Sequence, residues 1–340
     1  MISRLITLTL ALFTFIGAVQ ASSVEKFCSP LPPSFRVIID NDFSGDPDGL
    51  FQLVHHILSP SIELRGIIGS HLNDNSGFDD SNNTAQSACN KAIDVLALLN
   101  VNDICPVVLG AVTAMTSQDT PIDSEGARLI ISEAMRTDVT TPLYIVCGAG
   151  LTNIASALLL KPEIAHRLTL VWIGGQEYEN TAPMPPCGTE VEYNLALSIS
   201  GAQAIFNKSS IPIWQVPRNA YRQCLMPMSR LYLELSDCGE IGRYLFDSLI
   251  NIMSKIHEWG GNMGETYILG DSPLVLLTAL QTGFESDPAS SEYIIKKAPY
   301  IEDDGTYKEN PEGRYIRVYQ RLDTQLMYDD LFSKLRLIHK

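Results

Sequence analysis

Short apolar runs rich in β-branched residues alternate with helical stretches along most of this chain, and this alternation constrains the fold more than any other feature. The strand-like runs are Phe35–Asp40, Ile62–Gly69, Pro106–Gly110, Pro142–Gly148, Leu168–Gly175 and Ile211–Val216. The helical stretches between them are Gly49–Leu58, Asn83–Leu99, Ser124–Met135, Leu151–Leu159 and Ser198–Phe206. Such alternation is typical of a parallel sheet covered by helices on both faces, and continuous apolar runs indicate strands buried on both sides. We therefore predict a Rossmann-like α/β fold with a mostly parallel sheet.

The rest of the chain is compatible with one large domain. Leu231–Leu280 is mostly helical in pattern, residues 281–320 are predicted to form loops and short strands, and Asp323–His339 is predicted to form a terminal helix. The sequence contains no linker, internal repeat or low-complexity block. We predict a single domain over residues 22–340.

The first residues have the pattern of a secretory signal peptide. Arg4 precedes a short apolar run, Leu5–Ile16, and Val19-Gln20-Ala21 provides the small residues of a cleavage site. The run is shorter than the roughly 20 apolar residues that a membrane-spanning helix needs, which favours a cleaved signal over a membrane anchor. We predict a signal peptide over residues 1–21 and a secreted or periplasmic mature protein, with no membrane attachment after cleavage.

The acidic composition limits the classes of partner. The chain has 39 Asp and Glu residues against 24 Lys and Arg residues, and its formal net charge is -15. Removal of residues 1–21 takes away Arg4, so the mature charge is -16. A nucleic-acid-binding surface needs clustered Lys and Arg, and anionic membranes attract basic segments. A small molecule or a metal ion is therefore the expected partner, and nucleic acid is not.

Seven cysteines follow the predicted cleavage site, and this odd number leaves at least one thiol unpaired. None forms a Cys-x-x-Cys pair, which argues against a zinc ribbon or a redox motif. Cys105 and Cys147 lie in apolar runs and are predicted to be buried thiols. Two candidate disulfides remain open, Cys28 with another loop cysteine and Cys224 with Cys238.

Four aspartates crowd into the segment after the first predicted strand, which we call the aspartate loop (residues 40–48). They are Asp40, Asp42, Asp46 and Asp48. Such close like charges repel each other unless a cation or a proton joins them, and carboxylate oxygens suit Ca²⁺ or Mg²⁺. Ligands of open α/β sheets bind beyond the carboxyl ends of the strands, so we expect a metal or substrate site here. A solvated acidic turn is the simpler alternative.

Three other site types do not fit the aspartate loop. An EF-hand needs Glu at its twelfth position, but counting from Asp40 gives Phe51 and counting from Ser44 gives His55. A phosphatase of the dehalogenase type shares the Asp-x-Asp start, yet Phe43 and Ser44 follow where Thr or Val is expected. A serine hydrolase would need a Gly-x-Ser-x-Gly turn, which the sequence lacks.

The aspartate loop instead resembles the signature Asp-x-Asp-Pro-Gly-x-Asp-Asp of the inosine–uridine nucleoside hydrolases. Asp40 and Asp42 match the opening pair, Phe43-Ser44 replaces Pro-Gly, and the closing doublet is split between Asp46 and Asp48. Further segments resemble the family in the same order. They are Ser70-His71-Leu72-Asn73, Gly148-Ala149-Gly150-Leu151-Thr152-Asn153-Ile154-Ala155, Gly174-Gly175, Glu192-Tyr193-Asn194 and Leu269-Gly270-Asp271-Ser272-Pro273.

This resemblance implies the nucleoside hydrolase fold and calcium-dependent hydrolysis of the N-glycosidic bond of a ribonucleoside to free base and ribose. It implies that Asp42 is the general base for a metal-bound water. The metal ligands that carry over are Asp42, Asp48, the carbonyl oxygen of Thr152, and Asp271. The substrate contacts that carry over are Asp46, Asn73, Asn180, Glu192 and Asn194. At this point the roles of Asp46 and Asp48 can be exchanged.

The chain departs from the family at Gly270, where the inosine–uridine-preferring members have a His that protonates the leaving base. His257, Trp259 and Tyr178 are the candidate replacements, and Trp259 would act by stacking on the base. Two alternatives therefore stay open, an exported calcium-dependent nucleoside- or ribosyl-binding protein without turnover and a hydrolase of a different ribosyl compound. Family members are often dimers or tetramers, so the resemblance leaves room for a homo-oligomer.

Overall fold

The structure is a computed structural model that describes residues 32–74, 76–186, 188–281 and 290–339. The predicted signal peptide and the Cys28 disulfide lie outside these residues and stay predictions. Within the described ranges, no helix is both long enough and apolar enough to cross a membrane.

Twelve strands occur in the described chain. They are β1 (Phe35–Asn41), β2 (Ile62–Gly69), β3 (Val107–Leu109), β4 (Leu143–Gly148), β5 (Leu168–Ile173), β6 (Ile213–Val216), β7 (Leu225–Pro227), β8 (Thr266–Ile268), β9 (Glu292–Lys297), β10 (Tyr300–Ile301), β11 (Tyr307–Lys308) and β12 (Tyr315–Arg321). Eight of them form one sheet in the order β3-β2-β1-β4-β5-β6-β12-β9. All neighbours in this sheet are parallel except β12 and β9. The predicted mostly parallel α/β sheet is confirmed.

Eleven α-helices accompany the strands in the described residues. They are α1 (Asp48–Ile57), α2 (Thr84–Leu98), α3 (Glu125–Ala134), α4 (Thr152–Leu160), α5 (Tyr193–Leu197), α6 (Ile199–Gln203), α7 (Arg218–Tyr221), α8 (Met228–Leu235), α9 (Gly239–Glu258), α10 (Pro273–Leu276) and α11 (Thr324–Leu337). A 3₁₀ turn spans Pro162–His166, and a π turn spans Ala204–Lys208. Two separate apolar cores, one on each face of the sheet, contain these helices. Helices therefore cover both faces, as predicted.

The strand order places the ends of β1 and β4 at the site where ligands bind in such sheets. β1 lies between β2 and β4 in the sheet, and Asn41 at the end of β1 is in register with Gly69 on β2 and Gly148 on β4. The chain leaves β1 towards β2 on one side, and β4 continues to β5 on the other. This reversal of strand order opens a crevice beyond the carboxyl ends. The aspartate loop and the turn before α4 both begin at this crevice.

A buried ion pair ties β1 to α3. Arg36 donates through Nη1 to Glu133 Oε2 at 3.1 Å and to the Glu133 carbonyl at 2.9 Å, and through Nε to the Thr141 carbonyl at 3.1 Å. Both side chains are buried. Burial of such a pair is tolerated only when the charges are matched and hydrogen-bonded, so this contact fixes the position of α3 against the sheet.

The cysteines behave only partly as predicted. Cys147 is fully buried with a free thiol, whereas Cys105 is a free thiol that is only partly buried. The candidate disulfide between Cys224 and Cys238 is wrong, because both are free thiols that are separately buried in the core. The thiol of Cys238, at the N-cap of α9, donates to the Glu234 carbonyl near the end of α8 instead.

Candidate active site

Four carboxyl groups, which we call the acid cluster, meet beyond the ends of β1 and β8. They belong to Asp42 and Asp271, which are buried, and to Asp46 and Asp48, which are partly buried. The Asp271 backbone N–H donates to Asp48 Oδ2 at 3.1 Å, and the Asp48 N–H donates to Asp46 Oδ1 at 3.3 Å. The hydroxyl of Tyr267, on β8, donates to the same Asp46 oxygen at 2.5 Å. The structure therefore brings together two segments that are more than 200 residues apart in sequence.

The acid cluster is crowded with like charge. Burial, followed by the charges of Asp271 and Asp46, raises the pKa of Asp42 well above its usual range. Burial and the same two charges also raise the pKa of Asp48. Burial raises the pKa of Asp46 to about 6 and that of Asp271 to about 7. Four carboxylates in this setting ionise together only if a cation neutralises them.

The donor set has the chemistry of a site for a hard divalent cation. Carboxylate and carbonyl oxygens are the ligands that Ca²⁺ takes in proteins. Two further buried oxygens beside the cluster, Asp40 Oδ2 and Ser272 Oγ, have no hydrogen-bond partner among the described residues, as expected where an ion or a water binds. However, no three His, Cys, Asp or Glu side chains in the described part of the chain converge closely enough to hold one metal ion. The residue types fit a cation, and the side chains would have to close around it.

Asp40 serves as an anchor of the loop. Its Oδ1 accepts from the Ser70 hydroxyl and from Asn153 Nδ2, the latter at 3.0 Å. Asn153 Oδ1 in turn accepts from the Ala111 N–H at 2.8 Å and from the Ser124 hydroxyl at 3.1 Å. The Asn of the Leu-Thr-Asn segment therefore joins the ends of β1 and β2 to the start of α3.

Thr152 begins α4 beside the same crevice and is buried. Its hydroxyl donates to His71 Nε2 at 3.0 Å, and His71 Nδ1 donates to the Leu72 carbonyl at 3.2 Å. Burial lowers the pKa of His71, and the neutral ring with its proton on Nδ1 makes both contacts in these directions. Leu151 occupies the N-cap position, so the Thr152 hydroxyl does not cap the helix. His71 is thus a structural contact of the residue whose carbonyl was predicted to bind metal.

Glu192 lies next to the acid cluster, and its charge contributes to the raised pKa of Asp271. Its Oε2 accepts from the Gly175 N–H at 2.7 Å and from the Leu195 N–H at 3.1 Å, and its Oε1 accepts from the Tyr221 hydroxyl at 3.0 Å. These bonds fix one carboxylate oxygen fully and leave Oε1 able to accept once more.

Three other predicted sugar contacts differ in their surroundings. Asn194 Nδ2 donates to the Ile173 carbonyl at 2.9 Å, which ties Asn194 to the end of β5 near Glu192. Asn73 is exposed just after β2. Asn180 is exposed with a φ of 63° and lines a separate cavity of about 710 Å³ together with Tyr178 and Lys296. The structure does not bring Asn73 or Asn180 into contact with the acid cluster.

An aromatic row runs from the acid cluster to the surface. Tyr193 is 42% exposed, and desolvation of its hydroxyl followed by the charges of Asp42 and Asp46 raises its pKa, which places it near the cluster. Phe78 packs edge-on against Tyr193, with ring centroids 6.0 Å apart, and against Trp259 at 5.8 Å. Trp259 is about half exposed. This row provides apolar ring faces within reach of the crevice.

The other two candidates for the leaving-group contact point away from the crevice. The Tyr178 hydroxyl donates to Gln215 Oε1 at 2.5 Å and the ring is buried. His257 lines a groove of about 760 Å³ along α9 and α8. At Gly270 itself, a Cβ would lie 3.1 Å from Asp48 Oδ2, so a side chain there would crowd the acid cluster.

Comparison with known proteins decides the family. A family model described as "Inosine-uridine preferring nucleoside hydrolase" matches residues 37–309. The chain belongs to this family. The assignment confirms the resemblance and the predicted enzyme class, a hydrolase that acts on N-glycosyl compounds. No individually curated protein sequence matches the chain.

Solved nucleoside hydrolases share the fold at low sequence identity. A plant nucleoside hydrolase, PpNRh1, is 19% identical with a TM-score of 0.63. A purine-preferring ribonucleoside hydrolase from Gardnerella vaginalis is 18% identical with a TM-score of 0.67, and an inosine-uridine preferring nucleoside hydrolase from Bacillus anthracis is 14% identical with a TM-score of 0.64. Each alignment covers 89% of this chain and 99% of the other. The nucleoside hydrolase fold is thereby confirmed.

Sequence reasoning missed several residues of this nucleoside hydrolase that contact the acid cluster or Glu192 beside it. Asn41 Nδ2 donates to Asp271 Oδ2 at 2.8 Å, Tyr267 binds Asp46, and Tyr221 binds Glu192. Asn41 could have been found, because it is the last residue of β1 and lies between Asp40 and Asp42, at the strand end where a ligand site is expected. The two tyrosines give no such signal, since tyrosine is common in apolar segments.

Proposed function

We propose that this nucleoside hydrolase cleaves the N-glycosidic bond of a ribonucleoside to free base and ribose in a calcium-dependent reaction. The observation that supports this most directly is the acid cluster, in which four buried or partly buried carboxyl groups with raised pKa values come together at the carboxyl edge of β1. Buried like charges are costly and persist where function needs them. We also propose that the protein is secreted or periplasmic, because residues 1–21 have the pattern of a cleaved signal peptide.

The cation would be held by the carboxylates of Asp42, Asp48 and Asp271 and by the carbonyl oxygen of Thr152. When bound, a Ca²⁺ ion neutralises the cluster, binds ribose hydroxyls and makes an attacking water more acidic. Ca²⁺ is favoured over Mg²⁺ because the donors come from separate segments, and Ca²⁺ accepts flexible geometry whereas Mg²⁺ demands a near-ideal octahedron.

Asp42 is the proposed general base. No side chain in the described residues donates a hydrogen bond to its carboxylate, so both oxygens remain able to accept a proton. Burial and the neighbouring carboxylates raise the pKa of Asp42 when no cation is present, and a bound cation would keep its carboxylate ionised and able to accept a proton. Asp42 would take one proton from the attacking water as the bond from the anomeric carbon to the base breaks.

The ribose would be held by Asp46, Glu192 and Asn194, and the predicted contacts Asn73 and Asn180 are left out because both are exposed and Asn180 lines a separate cavity. Tyr267 fixes Asp46, and backbone N–H groups fix Glu192, so these two carboxylates are oriented before substrate binds. Contacts that are already oriented stabilise the transition state without a reorganisation cost. The aromatic row would stack on the leaving base, with Trp259 at its outer end.

A second function, nucleoside binding without turnover, is favoured by one observation. Gly270 provides no acid to protonate the leaving base, and a side chain there would crowd Asp48. The cation and the sugar contacts alone would then be sufficient to bind a nucleoside without cleaving it. Product analysis separates the two functions, because only a hydrolase releases base and ribose.

The test is incubation of the purified protein with a panel of purine and pyrimidine ribonucleosides, nicotinamide riboside included, with and without EDTA. Base and ribose are measured by chromatography. We expect EDTA-sensitive release of one or more bases, and a loss of about 10²- to 10⁴-fold in kcat for Asp42→Asn with an unchanged circular dichroism spectrum. Undiminished kcat in Asp42→Asn would refute the role of Asp42. Calcium-dependent nucleoside binding without product would select the second function.

A further inference from the structure

A continuous line of buried hydrogen bonds leads from Asp271 through α1 to the segment after α10. Asn41 Nδ2 donates to Asp271 Oδ2 at 2.8 Å and to Gln52 Oε1 at 3.2 Å. Gln52 Nε2 contacts His56 Nδ1, and His56 Nε2 lies 3.1 Å from the hydroxyl oxygen of Thr278. All five side chains are buried. Burying polar side chains in an apolar interior costs free energy of folding, so we expect this continuous line of hydrogen bonds to have a function.

The direction of every bond in this line is fixed from its far end. The Thr278 hydroxyl donates to the Leu274 carbonyl at 2.6 Å, so its oxygen must accept from His56 Nε2–H. Burial and the nearby charges of His55 and Lys334 lower the pKa of His56, and the neutral ring leaves Nδ1 as an acceptor. Gln52 must then direct its amino group to His56 and its carbonyl oxygen to Asn41.

The last bond follows from the others. Because Gln52 presents an oxygen, Asn41 must present its amino group, and the same amino group reaches Asp271. This arrangement has an energetic cost, because it leaves Asn41 Oδ1 buried without a hydrogen-bond partner among the described residues. Without these neighbours, the Asn41 amide could rotate and give Oδ1 a hydrogen-bond partner. The hydrogen bonds of this line therefore hold the Asn41 amide in its observed orientation.

Two glycines lie directly against the Asn41 amide and the Asp271 carboxylate. A Cβ at Gly148 would lie 2.5 Å from Asp271 Oδ2 and 2.6 Å from Asn41 Nδ2. A Cβ at Gly49 would lie 3.0 Å from Asn41 Nδ2. Glycine at both positions lets two chain segments press directly against the amide and the carboxylate, so neither group has room to turn.

From this geometry we infer that Asn41 is a positioning residue for Asp271, and that Gln52, His56 and Thr278 set the orientation of its amide. The amino group holds Asp271 Oδ2 and leaves Oδ1 outside this hydrogen bond. The inference rests on the proposed function, in which Asp271 is a cation ligand. Groups that orient metal ligands in this way contribute about 10- to 100-fold to metal affinity or activity.

The test measures calcium affinity by calorimetry, with Ca²⁺ alone and the full chain. Asn41→Leu removes the amide at similar size, and Gln52→Met removes its support. We expect calcium affinity about 10- to 100-fold weaker in Asn41→Leu and a smaller loss in the same direction in Gln52→Met. Excess Ca²⁺ should restore kcat in both variants, which loss of folded protein alone would not allow.

The matched control is His55→Gln, one residue from His56. His55 is equally buried and loses a comparable hydrogen bond, 2.7 Å from its Nε2 to Asp330 Oδ2, but it has no link to Asp271. We expect a lower melting temperature in this variant with unchanged calcium affinity. An equal loss of calcium affinity in His55→Gln would reduce the effect to general destabilisation and overturn the inference.

Two further outcomes separate this inference from the proposed function. Unchanged calcium affinity in Asn41→Leu, or a full chain that binds no Ca²⁺, overturns the positioning role. A full chain that binds Ca²⁺ in an Asn41-dependent way but releases no base from any nucleoside refutes the proposed hydrolysis and leaves the positioning role supported.

Discussion

Replacement of Asp46 by asparagine tests the electrostatic account of the acid cluster. The side chain receives hydrogen bonds from Tyr267 and from the Asp48 N–H, both on Oδ1, and an asparagine oxygen accepts both equally well. Asp46→Asn therefore removes the negative charge and keeps the contacts. Since burial raises the pKa of Asp46 from 3.8 to about 6, the charge opposes folding when no cation is present.

The size of the effect follows from the pKa values. At 1.36 kcal/mol per pKa unit, a folded pKa of about 6 against 3.8 costs the folded state about 3 kcal/mol at pH 7. A carboxyl group with a raised pKa destabilises the fold above the folded pKa, and this penalty disappears as the pH falls to the unfolded value. We expect Asp46→Asn in EDTA to be more stable than the parent by up to about 3 kcal/mol at pH 7 and nearly equal at pH 4.

The measurement is urea unfolding in EDTA at both pH values, with saturating Ca²⁺ as a third condition. Calcium should reduce the difference in free energy of unfolding between Asp46→Asn and the parent at pH 7, because a bound cation stabilises the parent more than the variant. The control is Asp123→Asn, which neutralises an exposed aspartate paired with Arg128 and should show no such gain. A variant no more stable than the parent at pH 7, or a gain that is the same at pH 4, would refute the reasoning.

Three more perturbations follow from contacts described above. Glu133→Gln should lower the free energy of unfolding by about 3–5 kcal/mol in urea titrations, because it leaves the buried guanidinium of Arg36 without its counter-charge. Gly148→Ala should cost about 1–3 kcal/mol through overpacking and should weaken calcium binding in calorimetry, since the new methyl group overlaps Asp271 Oδ2. Trp259→Ala should raise KM for cleaved nucleosides with little change in kcat, as measured by initial rates of base release, if the ring only stacks on the base.

Each of these has an internal control. Glu63→Gln removes an exposed partner of Arg65 and should change stability by no more than about 1 kcal/mol, so an equal loss at both positions would contradict the argument from burial. Gly66→Ala brings a methyl group against the flexible end of Leu129, far from the acid cluster, and should leave calcium affinity unchanged. A KM unaffected by Trp259→Ala would remove the aromatic row from the base site.

The strands were predictable because their chemistry is local. The predicted run Ile62–Gly69 coincides with β2, whereas the run Leu168–Gly175 ends two residues early in the structure. Gly175 adopts a φ of 86°, which breaks the extended backbone. The run Ile211–Val216 begins pairing only at Ile213, after Pro212, which has no N–H to donate to a neighbouring strand.

Helix boundaries were less predictable where a polar side chain intervenes. The stretch Ser198–Phe206 was predicted as one helix, but the structure contains α5, α6 and a π turn around it. The Ser198 hydroxyl accepts from the Gly201 N–H at 3.3 Å, which caps a new helix and ends the previous one. Apolar spacing alone does not reveal a hydroxyl that competes with the helical backbone in this way.

The acid cluster was partly predictable because the ends of parallel strands meet at one edge. That rule drew attention to the aspartate loop, and the resemblance added Thr152 and Asp271. Neither indicated Gln52 or His56, which lie four residues apart and face inward on α1 in a segment where every residue from Gly49 to His56 is buried. Their role depends on partners distant in sequence, and a single sequence does not show such pairs.

The distance in sequence between the two halves of the acid cluster also has a consequence for biosynthesis. Asp48 and Asp271 are separated by 223 positions, and a ribosome delivers the amino-terminal side first. The aspartate loop therefore emerges long before the carboxylate that completes the cluster, and its charges remain solvated until roughly four fifths of the chain has been made. We expect calcium uptake to be a late event in the maturation of this enzyme, and nascent chains halted before residue 271 to bind none.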